Sequence, residues 1–230
     1  MKISSLASLL LLTFSTTTFA LDVNITQNMS HLTVEHNGET VRIQRIQDQS
    51  NHLSGGFSKT SRKCPPFCIQ PMTVAPGVAT YGELEVINFI KTQLKSKQGV
   101  LIDARTPSWH AKGTIPGSIN IPFTTFALSR NDQKLISAMK TLGVKRRKTT
   151  TTGYWTDLKD LLGIEKKPNP FWDFSAAKNL LLWCNGMWCG QSPRAIQGLI
   201  KQGYPVEKLN YYRDGMQAWQ ILGLTVTVPK

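Results

Sequence analysis

Four apolar residues, Leu180-Leu181-Leu182-Trp183, run straight into Cys184, and Ser192-Pro193 opens a helical pattern that Gly203 closes. An apolar run of this length bounded by polar turns reads as a strand buried on both faces. Pro is favoured at the first helical position and Gly just past the last, so Ser192 to Gln202 reads as a helix with Ser192 as its cap. Seven residues, Asn185 to Gln191, lie between strand and helix, and two of them are glycine. A strand–loop–helix unit of this kind belongs to a parallel α/β sheet, where ligands bind off the carboxyl ends of the strands. Amides of residues 185 to 190 converging near a helix N-terminus favour negative charge. A thiol held there has its pKa lowered towards neutrality, and a persulfide anion is held by the same amides. The bland alternative is a small buried cysteine at a strand end, paired with Cys189 or not.

The rest of the chain fits around that unit. Residues 22–35 and 40–47 alternate apolar and polar, with His36-Asn37-Gly38-Glu39 between them, a strong hairpin signal. Residues 48–63 are polar, then basic: a linker or a wrapping arm. Cys64-Pro65-Pro66-Phe67-Cys68 follows, with Pro71 and Pro76 beyond, a density that excludes regular structure. Leu84, Ile87, Ile90 and Leu94 recur at helical spacing over 81–94, with Thr80 as cap. Val100 to Asp103 reads as a buried strand, 115–122 as turn, short strand and stop, and 131–142 as a helix. Residues 143–173 read as an irregular insertion, 209–212 as a third buried strand, and 215–222 as a last helix. No internal repeat is visible.

Met1 to Ala20 has Lys2, the apolar run Leu6 to Phe14, and the small-residue exit Thr18-Phe19-Ala20. That order is a secretory signal peptide, with an apolar run short of the roughly 20 residues that span a bilayer. The expectation is cleavage near Leu21 and a periplasmic protein, soluble and without stable membrane insertion, in a compartment that permits disulfides. Lys and Arg number 27 against 14 Asp and Glu, giving +13, and loss of Lys2 with the leader leaves +12. Such an excess suits small anions or acidic proteins. The strongest basic run, Lys145 to Lys148, has no interleaved aromatics to stack bases, so no nucleic acid is expected as a partner. No metal or other cofactor is expected. Two cysteines alone do not complete a tetrahedral zinc site, C-x-x-C-H is absent, and His31, His36, His52 and His110 lack ligand spacing.

Three segments together resemble the rhodanese family of sulfurtransferases. Leu101-Ile102-Asp103-Ala104-Arg105, followed by Gly113-Thr114-Ile115-Pro116-Gly117-Ser118-Ile119-Asn120-Ile121-Pro122, is similar to the N-terminal signature. Leu182-Trp183-Cys184 through Ser192-Pro193-Arg194-Ala195 is similar to the catalytic strand, loop and helix. Gly203-Tyr204, Arg213-Asp214-Gly215-Met216-Gln217-Ala218-Trp219 and Gly223-Leu224 are similar to the C-terminal signature. The resemblance implies an α/β fold, a rhodanese-like parallel sheet flanked by helices, preceded by a small N-terminal β-hairpin appendage. The implied organisation is a signal peptide at 1–20, a β appendage and Cys/Pro-rich linker at 21–79, and a rhodanese-like domain at 80–230.

Three departures stand out. The family usually has five residues between the catalytic Cys and the helix-opening residue, against seven here. Related dual-specificity phosphatases and some arsenate reductases have longer loops, with an Arg six positions after the Cys; here that position is Gly190. Cys189 lies inside the loop. Thr114 stands where His is usual, with Trp109 and His110 replacing the usual acidic-aromatic pair.

The resemblance implies that Cys184 attacks the sulfane sulfur of an anionic donor, thiosulfate or a polysulfide, and passes it to a thiol, cyanide or a sulfur-carrier protein. Cys189 has three readings: a resolving thiol, the working thiol itself, or a bystander. The substrate cradle is expected from Asn185, Gly186, Met187, Trp188, Gly190, Gln191, Ser192 and Arg194. Asp103 and Arg105 are expected to be structural partners. Cys64 and Cys68 form a local disulfide, a persulfide relay or a metal pair. The longer loop predicts a wider pocket suited to bulky donors, lined by Trp183, Met187 and Trp188. Two other readings remain: a thiol–disulfide or oxyanion-handling enzyme using both loop cysteines, and a non-catalytic sulfur-carrier or binding module.

Overall fold

The computed structural model describes residues 22–147 and 169–229. The leader and the interior of the insertion lie outside the described residues. Five parallel strands form the central sheet, in the order β3 (Ala79–Tyr81), β9 (Leu209–Tyr212), β8 (Asn179–Trp183), β4 (Gly99–Asp103), β5 (Ser118–Asn120). The strand that ends at Cys184 is thus central, with β9 and β4 on either side. Alternate residues face opposite layers, as the period of a strand requires. Ile102, Leu180, Leu182 and Tyr211 pack on one face with α3 (Gln133–Thr141) and α4 (Gln191–Gln202). Leu101, Leu181, Trp183 and Tyr212 pack on the other with α1 (Glu83–Phe89) and α5 (Gly215–Ile221).

The expected hairpin is present as β1 (His31–His36) and β2 (Glu39–Gln44). Asn37 and Gly38 both take positive φ, 51° and 82°, the turn that fits the strands' twist. Residues 22–30 do not extend the ladder; they hold one isolated bridge, Thr26 to Met29. Leu32, Val34 and Ile43 bury their side chains in the α1 and α5 layer. Gly117, at φ 86°, permits that docking: a Cβ there would lie 2.8 Å from Val34 Cγ2. The tail closes on the end of the hairpin through an Arg45–Leu224 bridge and on the segment before β5 through a Thr114–Thr227 bridge.

Four expectations change. Thr80 is a strand residue of β3, and Gly82 caps α1, its N–H donating to the Glu85 carboxylate at 3.0 Å. Leu84 is 54% exposed; the buried stripe is Val86, Ile87, Phe89 and Ile90, followed by a π-helical turn at Ile90–Leu94. The insertion is not wholly irregular. Its ends pair as β6 (Lys145–Arg146) and β7 (Trp172–Asp173), and buried Trp172 donates to the Gln202 side chain at 3.3 Å. Gly190 rather than Ser192 caps α4, while Gly203 ends it in the left-handed region as expected. Among the described residues no helix is long and apolar enough to cross a membrane, and no group of three or more His, Cys, Asp or Glu side chains could hold a metal ion.

Candidate active site at the cysteine loop

The β8 strand delivers Cys184 fully buried to the carboxyl end of the sheet. The loop base is clamped from below by α5. Met216 N–H donates to the Cys184 carbonyl at 2.9 Å and Gln217 N–H to the Asn185 carbonyl at 3.0 Å. Gly215 makes this approach possible: at φ 54°, a Cβ would meet the Cys184 carbonyl oxygen at 2.1 Å. The Arg213-Asp214-Gly215 signature therefore holds the cysteine loop from the neighbouring strand end.

The first turn of α4 lies against the sulfur. Ser192 Oγ–H donates to Cys184 Sγ at 3.0 Å, so Ser192 acts on the thiol instead of capping the helix. Burial opposes ionisation of Cys184. Hydrogen bonds from Cys189, the Ser192 hydroxyl and the Ser192 and Gly186 amides outweigh it and pull the pKa down to about 7. Cys189 is also a free, buried thiol. Its hydrogen bond with Cys184 and its own burial push its pKa up, so Cys184 is the thiolate of the pair. In the protonated form, Cys184 Sγ–H donates to the Cys189 carbonyl at 3.1 Å.

Beside the loop, Asp103 and Arg105 form a buried ion pair. Arg105 Nε and Nη2 donate to the two Asp103 oxygens at 2.8 and 2.6 Å. Arg105 also donates to the Gly113 carbonyl and stacks 4.6 Å over Trp183. Thr114 and His110, two of the unusual residues, both bond Asp103 Oδ2, at 3.0 and 2.9 Å. Burial raises the pKa of Asp103, but Arg105 and His110 more than offset it and hold the carboxyl below the usual range.

Several expected cradle residues face elsewhere. The Asn185 side chain accepts from Arg105 Nη1 at 3.3 Å and so anchors the loop base. Trp183 points into the opposite layer and donates to Ser118 Oγ at 3.0 Å. Arg194 is exposed, lies 5.8 Å over Phe123, and lines with Gln197 and Lys201 an open groove of about 620 Å³ alongside Gly190. Gln191 offers its side-chain oxygen to Cys189 Sγ at 3.8 Å.

The roof of the site comes from the N-terminal arm, which wraps instead of merely linking. Phe57 packs against the cluster formed by Cys184, Trp188 and Cys189. The Arg62 guanidinium lies 4.0 Å over the Trp188 ring, and Phe67 meets that ring edge-on at 5.4 Å. Gln70 N–H donates to the Met187 carbonyl at 2.8 Å, while Arg213 Nε donates to the Gln70 carbonyl at 3.0 Å. Gln217 ties the layers together, accepting from Trp188 Nε1 at 2.6 Å and donating to the Phe57 carbonyl at 2.9 Å. Cys64 and Cys68 are joined in a disulfide inside this arm. Within the longer loop, Trp188 is buried under the arm, while Met187 is 39% exposed. Phe57, Arg62, Phe67 and Gln70 were not marked as site residues by sequence, since none lies on a periodic face or within reach of the cysteine along the chain; Gln217 stood inside the C-terminal signature without an assigned role.

The family model described as Rhodanese-like domain matches residues 88–222. Similar solved structures include the human single-domain sulfurtransferase TSTD1, 18% identical, covering 64% of this chain and 96% of that one, TM-score 0.35. An uncharacterized protein from Saccharomyces cerevisiae is 19% identical, covering 62% and 91%, TM-score 0.34. The As-Sb reductase from Leishmania major is 17% identical, covering 63% and 79%, TM-score 0.35. No curated protein matches the chain. The matched span runs from within α1 to the end of α5 and contains the cysteine loop, and the chain belongs to the Rhodanese-like domain family.

Proposed function

We propose that this protein is a sulfurtransferase that carries sulfane sulfur as a persulfide on Cys184. The donor is thiosulfate or a polysulfide, and the acceptor is cyanide, a thiol or a sulfur-carrier protein. The observation that carries this reading is the environment of Cys184: a buried sulfur whose ionised form is held by a hydroxyl and backbone amides. With thiosulfate, the Cys184 thiolate attacks the sulfane sulfur. A bond forms between the two sulfurs, the sulfane–sulfonate bond breaks, and sulfite leaves with the electron pair. The product is a persulfide anion, which cyanide discharges as thiocyanate while the thiolate returns. Intact-mass measurement after thiosulfate or polysulfide treatment tests this. A gain of about 32 Da located on Cys184 is expected, and a protein that stays unmodified contradicts it.

A second reading, a thiol–disulfide enzyme, rests on the contact between Cys184 and Cys189. Its signature in the same experiment is loss of two hydrogens, with both cysteines in one disulfide.

The pH dependence follows from the lowered pKa. Below about 7 Cys184 is protonated and a poor nucleophile; above it the thiolate fraction saturates. Sulfur loading is expected to rise close to tenfold per pH unit on the acid side and to level off above about 7. A rate still rising steeply above about pH 8.5, near the ordinary thiol value, would show an unactivated cysteine.

The same reading includes export. The leader pattern of residues 1–20 motivates it, and the Cys64–Cys68 disulfide supports an oxidising compartment. N-terminal sequencing of the native protein is expected to begin near Leu21, in an extracytoplasmic fraction; an intact leader on cytosolic protein contradicts this. No nucleic-acid partner is proposed.

A further inference from the structure

Tyr211 is completely buried, and its hydroxyl has no hydrogen-bond partner among the described residues. The neighbouring buried tyrosines are satisfied: Tyr212 donates to Glu83 at 3.0 Å and Tyr204 to the Lys178 carbonyl at 2.7 Å. A buried hydroxyl without a partner costs stability, and such a group calls for an explanation. Its position supplies one. Tyr211 lies on β9 directly opposite Leu182 of β8, and both side chains enter the layer of α4. Cys184 follows Leu182 by two residues, so strand alternation places it on the same side, where Ser192 of α4 meets its sulfur. The charged and ionisable groups acting on the Tyr211 phenol are Cys184, Cys189, Arg213 and Asp214, all at this end of the sheet.

We propose that the Tyr211 hydroxyl donates a hydrogen bond to the sulfur bound on Cys184, making it a catalytic residue for sulfur transfer. The proposal rests on the sulfurtransferase reading above. Loading lengthens the side chain by one sulfur, about 2 Å from Sγ. It also moves negative charge from Sγ to that outer atom. Ser192 Oγ is aimed at Sγ itself, 3.0 Å away, so the new anionic atom gains from a donor beside the loop amides. Burial pushes the phenol's pKa up, so it remains a proton-bearing donor at working pH. The hydroxyl satisfied only by the bound sulfur favours the loaded state over the empty one, the differential binding that accelerates loading.

Tyr211→Phe removes one oxygen and keeps the ring. Persulfide formation from thiosulfate is followed by quenched-flow intact-mass measurement, beside the melting temperature of each protein. A hydrogen bond to a charged group predicts loading about 10- to 100-fold slower at saturating thiosulfate, with KM little changed. The melting temperature is expected to equal or exceed that of wild type, because the variant deletes an unpartnered polar group. Wild type and variant loading at equal rates overturns this assignment and leaves the sulfurtransferase reading intact. A slower variant with a lowered melting temperature and an equally raised KM marks a packing role and overturns it as well. A wild-type protein that takes no sulfur from thiosulfate or polysulfide overturns the sulfurtransferase reading, and this assignment with it.

Discussion

Replacing Cys184 with Ser is expected to lower sulfur transfer by more than about a thousandfold, the scale of losing a nucleophile. The fold is expected to persist. The Cys184 carbonyl, not its side chain, receives the Met216 amide that clamps the loop, and the new hydroxyl can take the place of the thiol against Ser192. Assays of thiocyanate production together with circular dichroism separate loss of chemistry from loss of structure. Cys189→Ser serves as the counterpart. Its thiol is held protonated by Cys184, so the variant is expected to retain loading. Retention of near-wild-type turnover by Cys184→Ser, with loss in Cys189→Ser, would transfer the nucleophile's role to Cys189.

Asp103→Ala is expected to give the largest loss of stability, about 3–5 kcal/mol. Both members of the Asp103–Arg105 pair are almost wholly excluded from solvent, at 0% and 1% exposure. Removing the carboxylate strands a guanidinium in the interior, together with the Thr114 hydroxyl and His110 that share Asp103 Oδ2. In a chain of this size the loss corresponds to a melting temperature lower by on the order of 10 °C. Urea denaturation measures it; a change under about 1 kcal/mol would refute the assigned role. The wild-type pair also has a pH signature. Asp103 titrates lower in the folded chain than in the unfolded one. Its contribution is therefore complete above the ordinary aspartate pKa and is lost as pH falls through the lowered, folded-state value.

What could be read from the sequence was local in origin. The apolar run into Cys184, the helix closed by Gly203 and the Asn37-Gly38 turn each carry their signal within a dozen residues. Asp103 and Arg105 stand two apart, and their pairing was legible for the same reason. The strand at 79–81 was hidden because three residues show no period, and its identity comes from pairing with β9, about 130 residues later. Ser192 fits equally well as a helix cap or a thiol partner until the strand end is seen beneath it. Asn185 was read as part of the cradle because it lies beside the cysteine in sequence, yet Arg105 claims its side chain from 80 residues away. The orphan hydroxyl of Tyr211 has no sequence signature at all, since a tyrosine in an apolar strand is an ordinary packing residue.

The roof formed by Phe57, Arg62 and Phe67 over Trp188 has a kinetic consequence. Cys184 is at 0% exposure and Phe57 packs against its cluster, so on the sulfurtransferase reading proposed above donor and acceptor reach the sulfur only after a covering contact parts. On that reading each turnover contains two unimolecular openings, one for arrival of sulfur and one for its departure. Their frequency sets a ceiling on the rate that a more reactive cysteine cannot raise. Between openings, the sulfur atom that the proposed function places on Cys184 is shielded from dissolved thiols and oxidants, so on that reading the lifetime of the loaded protein is governed by residues more than 115 positions upstream of the atom they protect.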